Sequence, residues 1–459
     1  MQAPQVGQNL SKFIETTRLD TIPAEVIAKA KLCLLDSVGC GLFGSTLEWS
    51  RSLREVVLPW GGRPLGSVLG TKLRLPAPTA ALLNGLSIHG FELDDSHTQG
   101  IVHPGCVVIP AALAASDLRS NVSGPKFLEA VVVGYETSIR MGMSMGLAML
   151  RRGLYSPSIC GTFGAAAAAA KILDLTPPEI EYALRVAASQ ASGLYSPSLV
   201  KRLSIAFAAQ KGLLSALSAK AGFRSDVDIF QDTHGGLYRA LSVEPHFSAF
   251  DGLGSRYQML NVAIKQYSCA RPTFTTLDAI QSIRKEHAFD VKEIKSVVVR
   301  TTYSTMSTGS GYKVETVASA LVNIPYCASV MLIDSQAFVD QFTPRKLKDK
   351  RVKRLMSKVD VLLDRKLDKL GSENRYAARV EIELLDGRIF SETVLRPSGD
   401  PQNPTKSQKV FEKYRLLASK VLNQEGVEKA ERMIIGLEDV TQVGSMFKEI
   451  SNHLSRTAN

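Results

Sequence analysis

A 15-residue stretch of the sequence holds three of the chain's seven histidines together with three carboxylates. Its titratable side chains are those of His89, Glu92, Asp94, Asp95, His97 and His103. A histidine is well suited to be a general base, because its pKa lies near neutral pH and a neighbouring carboxylate can orient its ring. The stretch therefore predicts acid–base chemistry or contact with a substrate.

Two other interpretations of this stretch stay open. His97 and His103, with Asp94 or Asp95, offer donor atoms that zinc or iron accepts, but their spacing matches no established ligand motif. Short polar side chains also suit helix caps, and the stretch lies between two apolar segments that predict helices. We predict that the chain holds no metal.

Two groups of cations lie outside this stretch, Lys201-Arg202 and Lys265 with Arg271. Such cations usually face solvent, so the argument rests on their combination with the acid–base cluster. Several Lys and Arg side chains beside one such cluster suit a substrate that carries two or three carboxylates. Cys269 lies in the second group. Because no residue near it in the sequence is marked as a base that could activate its thiol, we expect a buried packing role for it and not that of a nucleophile.

Composition and motifs exclude several classes of protein. The 459 residues are 45% hydrophobic and 22% charged, which is typical of a globular protein large enough for two domains. No dinucleotide-binding or phosphate-binding glycine loop and no G-x-S-x-G elbow occurs, which argues against nucleotide-dependent and serine-hydrolase chemistry.

The sequence also predicts a compartment. It has neither a secretory signal nor a run of 18 apolar residues, and its six cysteines form no C-x-x-C pair. We expect a reduced, cytoplasmic setting with no membrane contact; a mitochondrial one stays open.

The net charge of +11 by itself suggests an anionic partner. However, residues 345–354 contain seven cations and one anion, which is +6 of that total. A run of this kind is usually a solvated face, and it offers no aromatic side chain for stacking on bases. The charge is thus weak evidence for nucleic acid, which we do not expect as a partner.

The elements that must position these residues change in type along the chain. Apolar residues recur at helical spacing from Pro23 to about residue 265, which predicts a helical domain rich in small residues. Residues 294–302 are β-branched, and 378–394 alternate about Asp386-Gly387, which predicts a hairpin. We therefore predict a mainly α protein. A large all-helical domain takes residues 1–268 and 407–459, and a smaller α+β domain takes 269–406.

Taken together, these motifs resemble the MmgE/PrpD family. The resemblance rests on five segments in order along nearly the whole chain: Ile22-Pro23 to Cys40, Glu92-Leu-Asp94-Asp95 to His103-Pro104, Val200-Lys201-Arg202-Leu203 to Gly212, Lys265-x-Tyr267-x-Cys269, and Ile324-Pro325-Tyr326. The segments at Glu92 and Val200, with Lys413-Tyr414-Arg415, look especially like fungal members. The resemblance implies the predicted two-domain fold, a homodimer, and cofactor-free chemistry on polycarboxylates at the junction of the domains.

The resemblance also implies roles for individual residues. His103 matches the family's active-site histidine, Lys201 and Lys265 match its substrate-facing lysines, and Tyr326 matches a tyrosine of its pocket. We predict catalytic roles for His103, Asp94, Lys265, Lys201 and Tyr326. We predict substrate contacts for Glu92, Asp95, Ser96, His97, Tyr155, Arg202 and Arg271.

Departures from the family pattern bear on the substrate. Histidines of relatives are replaced by Tyr155, Ser204, Ala270 and Phe274. The loss of several histidines weakens the expectation of decarboxylation, and Phe274 suits a substrate with an alkyl arm. The leading hypothesis is dehydration of a 2-methylcitrate- or alkylcitrate-like tricarboxylate. Its alternatives are decarboxylation of cis-aconitate, epimerisation of an iminodicarboxylate, and a non-catalytic basic binding protein.

Overall fold

The structure is a computed structural model that describes residues 5–196, 199–225, 227–230, 236–309 and 313–455. The chain forms two compact units. The helical unit comprises the chain up to Gly90, then Asp94–Ile264, and the chain from Lys406 onward. The sheet unit comprises Phe91–Leu93 and Lys265–Thr405. Each unit is described by itself.

The first part of the helical unit contains eleven α-helices and one two-stranded hairpin among its described residues. The helices are α1 Val6–Thr16, α2 Ala24–Ser45, α3 Glu48–Val57, α4 Ala77–Ile88, α5 Gly105–Asp117, α6 Gly124–Met145, α7 Ala148–Arg151, α8 Ser156–Ile172, α9 Pro177–Gln190, α10 Leu199–Lys220 and α11 Leu237–Ala240. The strands are β1 Gly66–Ser67 and β2 Arg74–Leu75. This short hairpin is the one departure from the predicted all-helical domain within these residues.

Helix α8 lies at the centre of this unit, and every one of its residues is buried. It packs against α5, α6, α9 and α10. Its run of alanines lets these helices approach closely, and a Cβ on Gly212 of α10 would lie 2.3 Å from that of Ala165. Small residues are therefore required where the helices cross, as the sequence indicates.

The sheet unit is an α+β structure. Its helices are α12 Phe274–Glu286, α13 Tyr303–Gly309, α14 Val317–Ala320, α15 Ile324–Asp334, α16 Pro344–Leu347, α17 Lys350–Met356 and α18 Arg365–Asp368. Its strands are β3 Ile294–Thr301, β4 Val359–Leu363, β5 Ala378–Leu384 and β6 Ile389–Val394. The strand order is β4-β3-β5-β6, with β3 and β4 parallel and the other pairs antiparallel.

The end of the chain returns to the helical unit. It forms α19 Ser407–Ala418, α20 Gln424–Ile435 and α21 Val443–Ser451, and α19 packs along α2. The predicted fold class is confirmed: the protein is mainly α, with a large helical part built from both chain ends and a smaller α+β part. Among the described helices, none has the length and apolarity needed to cross a membrane.

Candidate active site

The histidine-rich stretch forms the connection between α4 and α5. His89 follows the last residue of α4, and α5 begins at Gly105. Two residues of the connection, Glu92 and Ile101, have positive φ values of 56° and 52°. A residue other than glycine rarely adopts this backbone conformation unless neighbouring contacts stabilise it, so the surrounding contacts must fix the course of this loop.

Asp94 joins two histidines. Its Oδ2 atom lies 2.8 Å from Nδ1 of His89 and 3.3 Å from Nδ1 of His103. The rings of the two histidines meet edge to face, with centroids 4.9 Å apart. His89 and Asp94 are fully buried, whereas the His103 side chain keeps 17% of its surface exposed.

The hydrogen bonds assign the proton of His103. Its Nδ1 lies 2.8 Å from the main-chain oxygen of Asp95, which can only accept a hydrogen bond. Nδ1 therefore carries the hydrogen, and Nε2 is the basic atom of the neutral ring. A histidine oriented in this way is suited to act as a general base.

Asp95 is held entirely within the helical unit. Its Oδ1 accepts a hydrogen bond from the Gly105 amide at 2.9 Å, and its Oδ2 accepts one from the Tyr135 hydroxyl at 2.7 Å. The first bond caps the amino end of α5. Burial raises the pKa of Asp95, and these two hydrogen bonds oppose that shift. Both carboxylate oxygens of Asp95 are thus occupied by hydrogen bonds, and its main-chain oxygen orients His103. These contacts favour a positioning role for Asp95.

Tyr155 reaches the cluster from the start of α8. Its hydroxyl lies 3.1 Å from Nε2 of His89, and Tyr155 is buried. Burial, with smaller contributions from His103 and Lys201, lowers the pKa of His89 to about 4, and Asp94 opposes this shift. His89 is thus neutral near pH 7, and one of its two ring nitrogens must be an acceptor.

A repeated segment holds Tyr155 in place. The sequence Gly-Leu-Tyr-Ser-Pro-Ser occurs at 153–158 and again at 193–198, where its last two residues lie outside the described residues. Leu154 and Leu194 form an antiparallel bridge, and the Tyr155 amide donates to the Gly193 oxygen at 2.9 Å. The ring of Tyr195 therefore lies beside that of Tyr155, with centroids 6.2 Å apart.

Lys201 and Arg202 lie in the first turn of α10 and have different surroundings. Lys201 is half-buried and close enough to His89 to lower its pKa. Arg202 is buried, and its Nε donates to the Gly90 oxygen at 2.8 Å while its guanidinium lies over the ring of Trp49. Arg202 thus binds the main chain next to His89.

Ser96 and His97 are buried by main-chain pairing. Ser96 pairs with Ala263 and His97 with Val102, and Nδ1 of His97 accepts a hydrogen bond from the Gly100 amide at 2.9 Å. These contacts shape the loop between the two α-helices. The predicted substrate contacts of Ser96 and His97 stay predictions.

The sheet unit contains a second set of predicted residues. Lys265 and Glu92 form a buried ion pair, with Nζ and Oε2 3.5 Å apart. Arg271 is bound to Asp400, with Nη2 and Oδ1 2.6 Å apart, and its guanidinium lies over Phe274. The Phe274 ring is buried, so it supplies an apolar surface beneath Arg271.

Two further residues of the sheet unit are buried by bonds within it. The Tyr326 hydroxyl donates to the Gln341 oxygen at 2.7 Å, and burial raises its pKa. Cys269 is buried as expected, and its sulfur accepts a hydrogen bond from the Thr273 hydroxyl. The contact of Tyr326 fixes α15 to the turn at Gln341, and its catalytic role stays a prediction.

One group of donor atoms has the composition of a metal site. The imidazole of His89, the carboxylate of Asp94 and the thiol of Cys106 bring their donor atoms within 4.8 Å of one another. However, the 2.8 Å separation of His89 Nδ1 and Asp94 Oδ2 is that of a direct hydrogen bond, and the Cys106 thiol donates to the His103 oxygen. We therefore interpret these atoms as a hydrogen-bonded cluster.

Two residues that bond to Asp94 or Asp95 have no named role in the sequence-based prediction. His89 lies within the histidine-rich stretch, and its place directly after α4 is the signal that could single it out. Tyr135 lies in the middle of α6, and no local sequence pattern marks it. Only the folded chain brings its hydroxyl to Asp95.

Family models match both parts of the chain. The MmgE/PrpD N-terminal domain matches residues 8–249, and the MmgE/PrpD C-terminal domain matches residues 267–439. The two matches together cover most of the sequence, in the expected order.

Similar proteins match over nearly their full length. The chain is 30% identical to a cis-aconitate decarboxylase-like protein of Aspergillus oryzae, with 98% of each chain covered. It is 28% identical to a cis-aconitate decarboxylase of Aspergillus terreus, covering 96% of this chain and 95% of that one. It is 27% identical to a cis-aconitate decarboxylase of Homo sapiens, covering 96% and 93%.

Proposed function

The chain belongs to the MmgE/PrpD family, and from that premise we propose that it is a lyase that acts on a tricarboxylate without a cofactor. More narrowly, we propose that it dehydrates a 2-methylcitrate- or alkylcitrate-like substrate. The observation that carries the proposal is the orientation of His103, whose Nδ1 is bound to Asp95 and Asp94 so that Nε2 is the basic atom.

The mechanism follows from that orientation. Nε2 of His103 removes a proton from the carbon next to a carboxylate, and the electron pair of the broken C–H bond forms the new double bond. The C–O bond of the substrate breaks, and the hydroxide leaves as water with a proton from the imidazolium. Asp94 stabilises the cationic ring, which is typically worth about 10²–10⁴-fold in rate together with proton transfer.

The cations have the complementary role. We propose that Lys201 binds a substrate carboxylate and stabilises the negative charge that develops on it as the proton leaves. For Lys265 we propose carboxylate binding as well, with Glu92 as its partner within the sheet unit. The guanidinium groups of Arg202 and Arg271 are each bound within their own unit, which favours supporting roles.

Decarboxylation of cis-aconitate is the second candidate. The names of the relatives from Aspergillus terreus and Homo sapiens favour it directly. The same base and the same cations suit it, since loss of CO₂ also leaves negative charge that a lysine can stabilise.

Mass spectrometry of products separates the two candidates. The purified protein is incubated with citrate, 2-methylcitrate, a longer alkylcitrate and cis-aconitate. We expect an alkylcitrate to lose about 18 mass units as water, according to the proposed base-catalysed elimination. Loss of about 44 units from cis-aconitate alone would establish decarboxylation instead.

A histidine variant tests the base. We expect His103→Ala to lower kcat by about 10²–10⁴-fold with the fold retained. His246→Ala is the matched control, because His246 belongs to the same unit and its amide donates to the Ser144 oxygen, a main-chain bond that the substitution keeps. Wild-type turnover in the His103→Ala protein would refute the proposed base.

A further inference from the structure

We propose that a cavity between the β1–β2 hairpin and α21 is a ligand site separate from the histidine-rich connection. It binds a carboxylate whose apolar body has the size of a benzene ring. The cavity belongs wholly to the helical unit, and its volume is about 170 Å³. Among the described residues that line it, none is a residue named above for catalysis or substrate contact. The inference is therefore independent of the proposed function.

The interior of the cavity is apolar. Six of its lining side chains are large, apolar and buried, and they come from both ends of the chain: Leu42, Val68, Leu69, Leu422, Phe447 and Ile450. An engineered apolar cavity of about 150 Å³ binds one benzene molecule. The apolar body of the ligand is thus a phenyl ring or an alkyl group of similar volume.

The mouth of the cavity is cationic. Lys72 and Lys448 line it and are exposed, and Arg74 is a third lining cation. Nη2 of Arg74 lies 3.8 Å from Oδ1 of Asp117, so its charge is partly compensated. No aspartate or glutamate occurs among the described residues that line the cavity. An apolar interior beneath two exposed ammonium groups complements a carboxylate on an apolar body.

The hairpin wall of the cavity is held by three helices. The Asn84 side chain of α4 accepts a hydrogen bond from the Leu69 amide at 2.9 Å and donates one to the Ser67 oxygen at 2.8 Å. Asp117, at the end of α5, accepts one from the Ser67 amide at 2.7 Å. Leu69 also packs against α2, where a Cβ on Gly41 would lie 2.7 Å from its Cδ1. These contacts fix the main chain and one apolar side chain of this wall.

The opposite wall is held by pairing within the C-terminal segment. Leu422 and Leu454, which both line the cavity, form an antiparallel bridge. Next to this bridge the Ser455 amide donates to the Val421 oxygen at 2.8 Å. Because both walls are held by hydrogen bonds, the cavity is preformed, and binding a ligand requires little ordering of the protein.

Two probes of similar size test the site. Benzoate carries the carboxylate on a phenyl ring, and benzyl alcohol carries a neutral hydroxyl group on the same ring. The dissociation constant of each is measured by NMR titration observed on the ligand. We expect the wild-type protein to bind benzoate at least about threefold more tightly, because exposed ion pairs contribute modestly.

Ser451→Phe tests the interior, because Ser451 lines the cavity from α21 and the new phenyl ring competes with that of the ligand. We expect this variant to bind benzoate at least about tenfold more weakly. Ser419→Phe is the matched control. The hydroxyl of each serine donates to the main-chain oxygen three residues earlier, but Ser419 is exposed on α19 and does not line the cavity.

The double variant Lys72→Met with Lys448→Met tests the mouth. Both lysines are exposed, so the buried wall is unchanged and we expect the fold to be retained. This variant should bind benzoate no more tightly than benzyl alcohol. Lys409→Met, which removes an exposed cation of α19, should keep the wild-type difference between the two probes.

Three results would overturn the inference. They are the absence of benzoate binding to the wild-type protein, equal wild-type affinities for the two probes, and a benzoate affinity that folded Ser451→Phe leaves unchanged. If Ser451→Phe does not fold, the double lysine variant decides, and a wild-type preference for benzoate in it places the carboxylate elsewhere and overturns the site. The proposed function is unaffected by each of these results, since it is tested by turnover of tricarboxylates.

Discussion

Asp94 and Asp95 are adjacent in the sequence, but the fold gives them different surroundings. The Asp94 carboxylate faces the two histidines, whereas both oxygens of Asp95 are bound by Gly105 and Tyr135. Of these two carboxylates, Asp94 is therefore the candidate for catalysis and Asp95 the candidate for positioning.

The sequence predicts which residue types make up the site better than it predicts their partners. His103 and Asp94 are found together, as the histidine-rich stretch indicates. The bonds from Tyr155 to His89 and from Tyr135 to Asp95 join residues 66 and 40 positions apart. Contacts over such distances depend on how the helices pack, which local spacing does not determine.

Lys265 allows binding and stability to be separated at the residue scale. We expect Lys265→Met to raise KM for the tricarboxylate at least about tenfold. It should also lower the free energy of unfolding by about 3–5 kcal/mol, because Glu92 is left as a buried charge without its cation. Steady-state kinetics and chemical denaturation measure the two effects.

The double variant Lys265→Met with Glu92→Gln is the control for this pair. It removes the buried charge, so we expect stability to return towards the wild-type value while KM stays high. Recovery of both properties would show that Lys265 serves only as the structural partner of Glu92.

At the scale of elements, periodicity predicts helices well and their interruptions less well. The apolar spacing over residues 127–149 alone predicts one continuous helix, but Gly146, with a φ of 57°, ends α6 before α7 begins. The predicted hairpin about Asp386-Gly387 is confirmed, since Gly387 has a φ of 90°. Turn residues with a specific conformational requirement are thus more informative than apolar spacing alone.

A buried ion pair joins the two ends of the chain within the helical unit. Nζ of Lys413 in α19 lies 2.6 Å from Oδ1 of Asp36 in α2, and both side chains are buried. Burial raises the pKa of Asp36 to about 6, although Lys413 opposes the shift. The folded protein therefore binds a proton at Asp36 more tightly than the unfolded chain does.

The sign of the pH dependence follows. With an unfolded pKa of about 3.9, the Asp36 contribution to stability is fully present below about pH 4 and is lost as the pH rises to about 6. In Lys413→Met the cation is absent and the folded pKa rises further, so the loss should extend to higher pH. We expect this variant to be destabilised by about 3–5 kcal/mol at pH 8 and much less at pH 4.

Urea denaturation at pH 4, 6 and 8 measures these differences. The double variant Asp36→Asn with Lys413→Met should lack this pH-dependent component. Lys429→Met is the matched control in the same C-terminal region, since Lys429 pairs with Glu449 near the surface and should contribute less than about 1 kcal/mol. A pH-independent loss in Lys413→Met would contradict the assigned pKa of Asp36.

For the whole molecule, the net charge describes the surface more than the function. The basic run 345–354 is divided between α16 and α17, and Asp349 caps the second of these helices. Its cations at 350, 351, 353 and 354 are exposed. The cation of the helical unit that bears on the proposed site is instead Lys201, which lies near His89.

Helix α10 carries an apolar stripe that bears on the predicted homodimer. Val200, Phe207 and Leu214 recur every seven residues, so they lie on one face of the helix, and they are 59%, 37% and 37% exposed. Large apolar side chains aligned in this way favour burial against a second surface. Because α10 also carries Lys201, an interface on this face would lie next to a residue of the proposed site.

We therefore expect the protein to be a dimer through this face, and Phe207→Glu to weaken it. Burying a charge at the centre of an apolar interface costs about 2 kcal/mol or more, which is about 30-fold in the dissociation constant. Sedimentation equilibrium measures this constant, with Leu385→Glu as the control, since Leu385 is 68% exposed next to the β5–β6 turn. A monomeric wild-type protein would refute the dimer, and equal weakening by Leu385→Glu would refute the assignment of its interface to α10. If the dimer weakens and turnover falls with it at low protein concentration, the first turn of α10, and Lys201 within it, depends on the second subunit for its position.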